Sequence, residues 1–138
     1  MKKIIAIIST IAILCCLFAI PASAAGSVSV STGALSIQKG SSGSFSVIAT
    51  NAAGRVDISS SNPSVATVST GSTWVENGAV GITVNAVGAG TAVITVNCTD
   101  VSDADFNLIT GARTVTINVS DSKDVLFTSN ADFSKFKE

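Results

Sequence analysis

Apolar and polar side chains alternate in short runs through most of the chain after residue 25. In residues 113–120, for example, Val115, Ile117 and Val119 alternate with Thr and Asn. Alternation puts every second side chain on the same face of a strand, so each run predicts a strand with one buried face. The pattern predicts a first strand split at Thr32-Gly33 into 26–32 and 35–37, followed by strands at 42–50, 55–60, 65–69, 72–76, 79–86, 91–99 and 113–120.

Short segments rich in Gly, Asn and Pro separate these runs and predict turns, at 39–41, 51–54 and 88–90 among others. Asn77-Gly78 predicts a two-residue hairpin turn, because both residues accept positive φ angles. The polar segment 100–111 predicts a loop before the last strand. Short strands separated by turns at intervals of about 8–12 residues predict an all-β, antiparallel β-sandwich.

The N-terminus has the three parts of a secretory signal peptide. Lys2-Lys3 precedes an apolar run from 4 to 20, and the small-residue site Ala22-Ser23-Ala24 follows Pro21. We therefore predict a signal peptide at residues 1–24, cleaved after Ala24. An uncleaved membrane anchor is one alternative. Lipidation at Cys15 or Cys16 is another, although neither cysteine follows the small residue that a lipid-attachment site requires.

Composition excludes several classes of function. The chain has 138 residues, which favours one compact domain, and its formal net charge is −1 with no basic patch of the kind that binds nucleic acid. It contains no histidine, so it lacks the commonest general base and the commonest metal ligand. We therefore predict that the protein is not an enzyme. No second apolar segment follows the signal peptide, so we expect no membrane attachment after cleavage.

Two segments carry a resemblance to a known family. Residues 59–68 read Ser-Ser-Ser-Asn-Pro-Ser-Val-Ala-Thr-Val, and residues 88–96 read Gly-Ala-Gly-Thr-Ala-Val-Ile-Thr-Val. In this order they resemble the corner and the following turn and strand of bacterial immunoglobulin-like group 2 (BIG2) domains. The family often has Trp where this chain has Ile58. The resemblance implies an immunoglobulin-like β-sandwich of about seven short strands over residues 25–120.

The same resemblance implies a location and a role, because such domains occur in secreted and cell-surface bacterial proteins, including adhesins. We therefore predict a secreted, non-catalytic module for cell-surface adhesion or structural spacing. Its partner would be a surface protein or polysaccharide. The alternative is a carbohydrate-binding module that acts on wall or host glycans.

Trp74 is the one tryptophan of the chain, and it allows two interpretations. Large aromatic side chains are mostly buried, so the favoured one is that Trp74 packs in the core in place of the tryptophan that the family often has. The other is that Trp74 is exposed and stacks on a sugar ring. The alternative function as a carbohydrate-binding module depends on this second interpretation.

Asp103, Asp105 and Asn107 alternate in the predicted loop and are candidate calcium ligands, because oxygen ligands at such spacing can surround this ion. The segment lacks the glycine and the closing glutamate of an EF-hand loop, so solvated surface acids are the alternative. We expect no other cofactor. Cys98 shares a strand face with Ile94 and Val96, which predicts a buried, inert thiol, with an intermolecular disulfide as the alternative.

The C-terminal segment, residues 121–138, lies outside the resemblance. Charged residues surround Phe127, Phe133 and Phe136 in this segment. Termini are commonly flexible, so one interpretation is a flexible tail. The other is an appended strand or docking segment, whose three phenylalanines contact the sandwich or a partner.

Overall fold

The computed structural model describes residues 24–121, and within that range the chain forms seven β-strands and no helix. The predicted all-β fold is therefore confirmed. Four of the strands are 13 to 19 residues long, which is longer than predicted. The strands are β1 (Ser27–Val30), β2 (Ala34–Gln38), β3 (Ser42–Ser60), β4 (Ala66–Val68), β5 (Ser72–Ala86), β6 (Gly90–Asp103) and β7 (Leu108–Ser120).

The strands form one continuous sheet that folds over into a sandwich. The hydrogen-bonded order is β2-β7-β6-β3-β5-β4, and β1 also pairs with β3. The first half of β3 lies between β1 and β5, whereas its second half lies between β5 and β6. β3 and β5 therefore belong to both layers, and each must bend where it passes from one layer to the other.

The bends in β3 and β5 correct two predictions. The segment 51–54 was predicted to be a turn between strands, but it is an irregularity within the continuous strand β3, where the register shifts between Ala49 and Ala53. Asn77-Gly78 was predicted to be a hairpin turn, but β5 continues through it. The reason is the pairing: β5 pairs with β3 on both sides of Asn77. A positive φ of 35° at Asn77 bends the strand without reversing it.

The predicted split of the first strand is confirmed. β1 pairs antiparallel with β3, and after the break at Thr32-Gly33 β2 pairs parallel with β7. The other ladders are antiparallel. Arg113 also connects β7 to β1, because its Nε donates a hydrogen bond to the carbonyl of Val28 at 2.8 Å. The first two strands thus hold both layers of the sandwich together at one side.

The core between the layers is aliphatic. Val115, Ile117 and Val119 of β7 all face inward, as the alternation predicts. Within residues 24–121 no polar or charged side chain is buried, so removal of apolar surface from water is the main stabilising contribution. The largest fully buried side chains are Ile82, Ile94, Ile117, Val28, Val47, Val56, Val75, Val84, Val96, Val101 and Val115.

The two segments that carry the BIG2 resemblance contact each other. The backbone N–H groups of Val87 and Gly88 donate hydrogen bonds to the carbonyl of Val65, at 2.8 and 3.2 Å. A Cβ atom on Gly88 would lie 2.6 Å from the carbonyl oxygen of Ser64, so only glycine allows this approach. The corner itself is held by Asn62, whose Oδ1 accepts a hydrogen bond from Ser64 N–H at 3.2 Å. The corner and the glycine turn are therefore one structural unit.

The predicted signal peptide and most of the C-terminal segment lie outside the described residues. Within the described range there is no helix with the length and apolar character needed to cross a membrane.

Candidate functional site

The turn between β6 and β7 is much shorter than predicted. Residues 100–111 were predicted to be a polar loop, but β6 continues to Asp103 and β7 begins at Leu108. Only residues 104–107 form the turn. It is closed by two backbone hydrogen bonds, from Asp103 N–H to the carbonyl of Asn107 (3.0 Å) and from Phe106 N–H to the carbonyl of Asp103 (3.1 Å). Few apolar residues mark the strands here: Val101 is buried and Ile109 is partly buried, but most of the other residues between Thr99 and Ala112 are exposed.

The carboxylate of Asp103 organises this turn. Its Oδ1 accepts hydrogen bonds from the backbone N–H groups of Asp105 (3.0 Å) and Asn107 (2.9 Å), and its Oδ2 accepts one from Asn107 Nδ2 (3.1 Å). The hydrogen bonds from Asn107, with smaller contributions from the N–H groups of Asp105 and Gly26, hold the pKa of Asp103 below its usual value. The charged form of Asp103 therefore stabilises the turn.

The three predicted calcium ligands, Asp103, Asp105 and Asn107, do meet in this one turn. Both carboxylate oxygens of Asp103 accept hydrogen bonds from the turn itself. Within residues 24–121 no three acidic, cysteine or histidine side chains are grouped so that they could hold a metal ion. Calcium binding at these residues stays a prediction, and chelation is its test.

Phe106 is held in an unusual conformation at the tip of the turn. Its φ angle is 62°, in the left-handed region that bulky L-residues rarely adopt, and its side chain is 89% exposed. Neither burial nor ordinary backbone preference accounts for a phenylalanine here. Strained residues of this kind are found preferentially at functional sites.

A groove lies beside Phe106, between the β6–β7 turn and the bends of β3 and β5. We call it the end groove, and its volume is about 520 Å³. Asn51, Asn77 and Phe106 all line it, and these are the described non-glycine residues that have positive φ angles. A second hollow, of about 410 Å³, shares Asn51 and Asn77 with it. The remaining lining residues of the end groove are Ala24, Ala52, Ala53, Ser102, Asp103 and Ala104.

The two asparagines of the groove use only part of their hydrogen-bonding capacity within the described range. Asn77 Oδ1 accepts a hydrogen bond from the backbone N–H of Ala52 at 3.2 Å, and its amide nitrogen has no bond to the protein there. Asn51 Nδ2 donates a long hydrogen bond, 3.5 Å, to the carbonyl of Ala24. A donor from Asn77 and an acceptor from Asn51 therefore remain for a ligand or for water.

Trp74 lies on the surface, so its predicted position in the core is wrong. Its side chain is 60% exposed, whereas that of its neighbour Val75 is completely buried. The phase of β5 explains this, because Val75 takes the inward position and Trp74 must then face outward. Trp74 is paired in register with Arg55 of β3, which forms an exposed ion pair with Asp57 at 3.2 Å. The geometry leaves Trp74 accessible to a ligand.

Cys98 is buried, as predicted, and has no disulfide partner within the described range. Burial raises the pKa of its thiol, and the positive charge of Arg113 offsets part of this rise. A buried thiol with a raised pKa is a poor nucleophile. The predicted docking residues Phe127, Phe133 and Phe136 lie outside the described residues.

Comparison with known proteins identifies a shared fold but no family. No protein-family model and no curated protein matches the chain. A solved structure of domains 1–6 of the surface layer protein SbsC matches with a TM-score of 0.53 and 23% identity, over 70% of this chain and 13% of that one. Domains 4 and 5 of the S-layer protein SbsC match with a TM-score of 0.51 and 24% identity, over 67% of this chain and 50% of that one.

The alternation of side chains did not reveal the end groove. The signal that could have indicated it is the pair of asparagines, Asn51 and Asn77, each next to small residues and tolerant of positive φ. Both asparagines were interpreted as turn residues, because their local sequence favours a turn. The pairing of β3 with β5 keeps the two strands continuous instead, and this long-range pairing is not visible in the local sequence. Phe106 gave no signal, since it was placed in a loop of 12 residues rather than at the tip of a tight turn.

Proposed function

We propose that this chain is a secreted, non-catalytic, immunoglobulin-like module that acts at the bacterial cell surface in adhesion or structural spacing. The observation that carries the proposal is the seven-stranded sandwich itself, with an aliphatic core and a shape that it shares with domains of a surface layer protein. The predicted signal peptide and the contact between the two segments that resemble BIG2 domains support it.

The absence of catalysis is part of the proposal. Histidine is missing from the chain, and Cys98 is buried with a raised pKa. Within residues 24–121 the one ion pair, Arg55 with Asp57, is exposed on a strand rather than placed in a cleft. Such exposed ion pairs are common on protein surfaces and contribute little to the stability of the fold.

A second candidate function is carbohydrate binding through Trp74. Two observations favour it. The side chain of Trp74 is 60% exposed, and its strand β5 pairs on one side only between Ser72 and Gly81 within residues 24–121. An exposed tryptophan can stack on a sugar ring, and a free strand edge can accept a partner strand. The same region therefore also suits a protein partner.

The experiment that tests both candidates is retention of the purified chain, residues 25–138, on whole bacterial cells, isolated wall polysaccharide and host matrix protein. Retention on cells or matrix that Trp74→Ala does not change supports adhesion. Retention on polysaccharide that Trp74→Ala abolishes supports the second candidate. If the chain is retained on none of these surfaces, adhesion is contradicted and structural spacing remains. Spacing is then tested by whether the protein is found at the cell surface.

Two further arms address the predictions that the structure leaves untested. Repeating the assay with calcium and with chelator examines Asp103, Asp105 and Asn107, and loss of retention with chelator supports a calcium site. Replacing Phe127, Phe133 and Phe136 together by serine examines docking through the C-terminal segment. Loss of retention in that variant, with an unchanged circular dichroism spectrum, supports docking by the segment.

A further inference from the structure

The end groove combines three features that are separate in the sequence. It has an exposed aromatic ring on a strained backbone, Phe106, and two asparagine side chains with unused hydrogen-bonding capacity. Its volume, about 520 Å³, falls in the range of small-molecule sites. A second hollow shares Asn51 and Asn77 with it, so both asparagines border two depressions of the surface.

The charged residues that line the groove indicate which chemical classes of ligand it suits. Among residues 24–121 no lysine or arginine lines either hollow, which disfavours phosphate, sulfate or carboxylate groups as ligands. Asp103 is the one charged residue among the described residues that line the groove, and its two oxygens already accept hydrogen bonds from the turn. What remains is a flat apolar ring flanked by neutral amide and hydroxyl groups, from Asn51, Asn77 and Ser102.

From these features we propose that the end groove binds a neutral saccharide. A pyranose ring has an apolar face, which would pack on Phe106, and hydroxyl groups at its edge, which would bond to the free amide nitrogen of Asn77 and the free carbonyl of Asn51. The side chain of Phe106 is 89% exposed and lines the groove, so its ring is open to a ligand there. The site is separate from Trp74 and goes beyond a structural or adhesive role of the module.

Processing of the chain would open the groove further. The long hydrogen bond of Asn51 Nδ2 ends on the carbonyl of Ala24, the last residue of the predicted signal peptide. Cleavage after Ala24 would remove this acceptor and leave the Asn51 amide nitrogen to a ligand, and it would add the α-amino group of Ala25 at this end of the sandwich.

The test is titration of ¹⁵N-labelled residues 25–138 with cellotetraose and chitotetraose, which are neutral, and with tetragalacturonate, which is anionic. We expect the backbone signals of Asn51, Asn77 and Phe106 to shift with at least one neutral probe and not with the anionic one. We expect Phe106→Ala to weaken that binding about tenfold, the order of effect that loss of one aromatic contact produces.

Two further variants separate binding from folding. Asn77→Asp keeps the Oδ1 acceptor that Ala52 needs but removes the amide donor, so it should weaken binding while the spectrum stays folded. Leu108→Ala removes an exposed apolar side chain close to the turn that does not line the groove, and it should bind as the unchanged chain does.

Several results would overturn the proposal. It fails if neither neutral probe at millimolar concentration shifts the groove signals, or if the shifts surround Trp74 and disappear in Trp74→Ala. It also fails if tetragalacturonate binds as well as the neutral probes, or if Leu108→Ala weakens binding as much as Phe106→Ala does. None of these results depends on adhesion or on a surface location, so the proposed function can stand without the groove.

Discussion

The side-chain Oδ1 of Asn77 accepts a hydrogen bond from the backbone N–H of Ala52 at 3.2 Å and so joins the bend of β5 to the bend of β3. Both strands pass from one layer of the sandwich to the other at this point. Ala52 is buried, so without Asn77 its N–H would lose its partner in a poorly hydrated position. This bond therefore links the fold to the geometry of the end groove.

Removing the bond should destabilise the sandwich. We expect Asn77→Ala to lower the free energy of unfolding by about 1–3 kcal/mol, because a partly buried donor loses its acceptor and alanine tolerates positive φ less well than asparagine. Urea unfolding followed by circular dichroism measures the change. Asn85→Ala, an exposed site on the same strand, is the control and should stay within about 0.5 kcal/mol of the unchanged chain. Equal effects of the two variants would contradict the role given to Asn77.

The contact between the corner and the glycine turn gives a second prediction. Gly88→Ala places a methyl group 2.6 Å from the Ser64 carbonyl oxygen, so the two segments must move apart. We expect a loss of about 1–3 kcal/mol in the free energy of unfolding, as for other overpacked sites. Gly81→Ala meets no atom within 4 Å and should be neutral or slightly stabilising. Thermal unfolding compares the two variants. Equal changes in stability for Gly88→Ala and Gly81→Ala would contradict a stabilising role for the contact between the corner and the glycine turn.

The hydrogen bonds to Asp103 predict a response to acid. The pKa of Asp103 is lowered in the folded protein, so its contribution to stability is present above the unfolded value, about 3.9, and is lost as the pH falls through the lower folded value. Asp103→Asn should therefore be less stable than the unchanged chain at neutral pH, and the difference should shrink below about pH 4. Carbon-detected NMR titration measures the pKa of Asp103 directly, and a value at or above 3.9 would refute this prediction.

The burial of Cys98 predicts an unreactive thiol. Because burial raises its pKa, Cys98 should react with Ellman's reagent at pH 8 only after denaturant unfolds the chain. The chain without its predicted signal peptide has no other cysteine, so one thiol per chain should appear on unfolding. Rapid reaction of the native protein, or a disulfide-linked dimer on a non-reducing gel, would favour the alternative of an exposed, pairing cysteine.

Much of the fold is visible in the alternation of side chains. Val115, Ile117 and Val119 face the core as the pattern predicts, and the break at Thr32-Gly33 separates β1 from β2. These features are local, because a strand of alternating residues has one buried face whatever its partner is. The all-β class follows from many such runs.

The remainder depends on long-range pairing that a local pattern does not contain. Asn77-Gly78 satisfies every local requirement of a hairpin, yet β3 supplies a partner on both sides and the strand continues. Trp74 was expected in the core by residue type, but Val75 holds the inward position next to it. The end groove forms where the bend of β3, the bend of β5 and the turn between β6 and β7 come together. Their position next to each other depends on long-range strand pairing, so residue patterns did not indicate the groove.

A surface location is the claim on which the proposed function depends most directly. Fractionation of the cells that make the protein, with antibody detection and N-terminal sequencing of the recovered protein, measures it in one experiment. We predict that the protein is found in the cell-surface or secreted fraction, is digested by protease added to intact cells, and begins at Ala25. A protease-protected protein in the cytoplasmic fraction that still begins at Met1 would contradict both the signal peptide and the surface role.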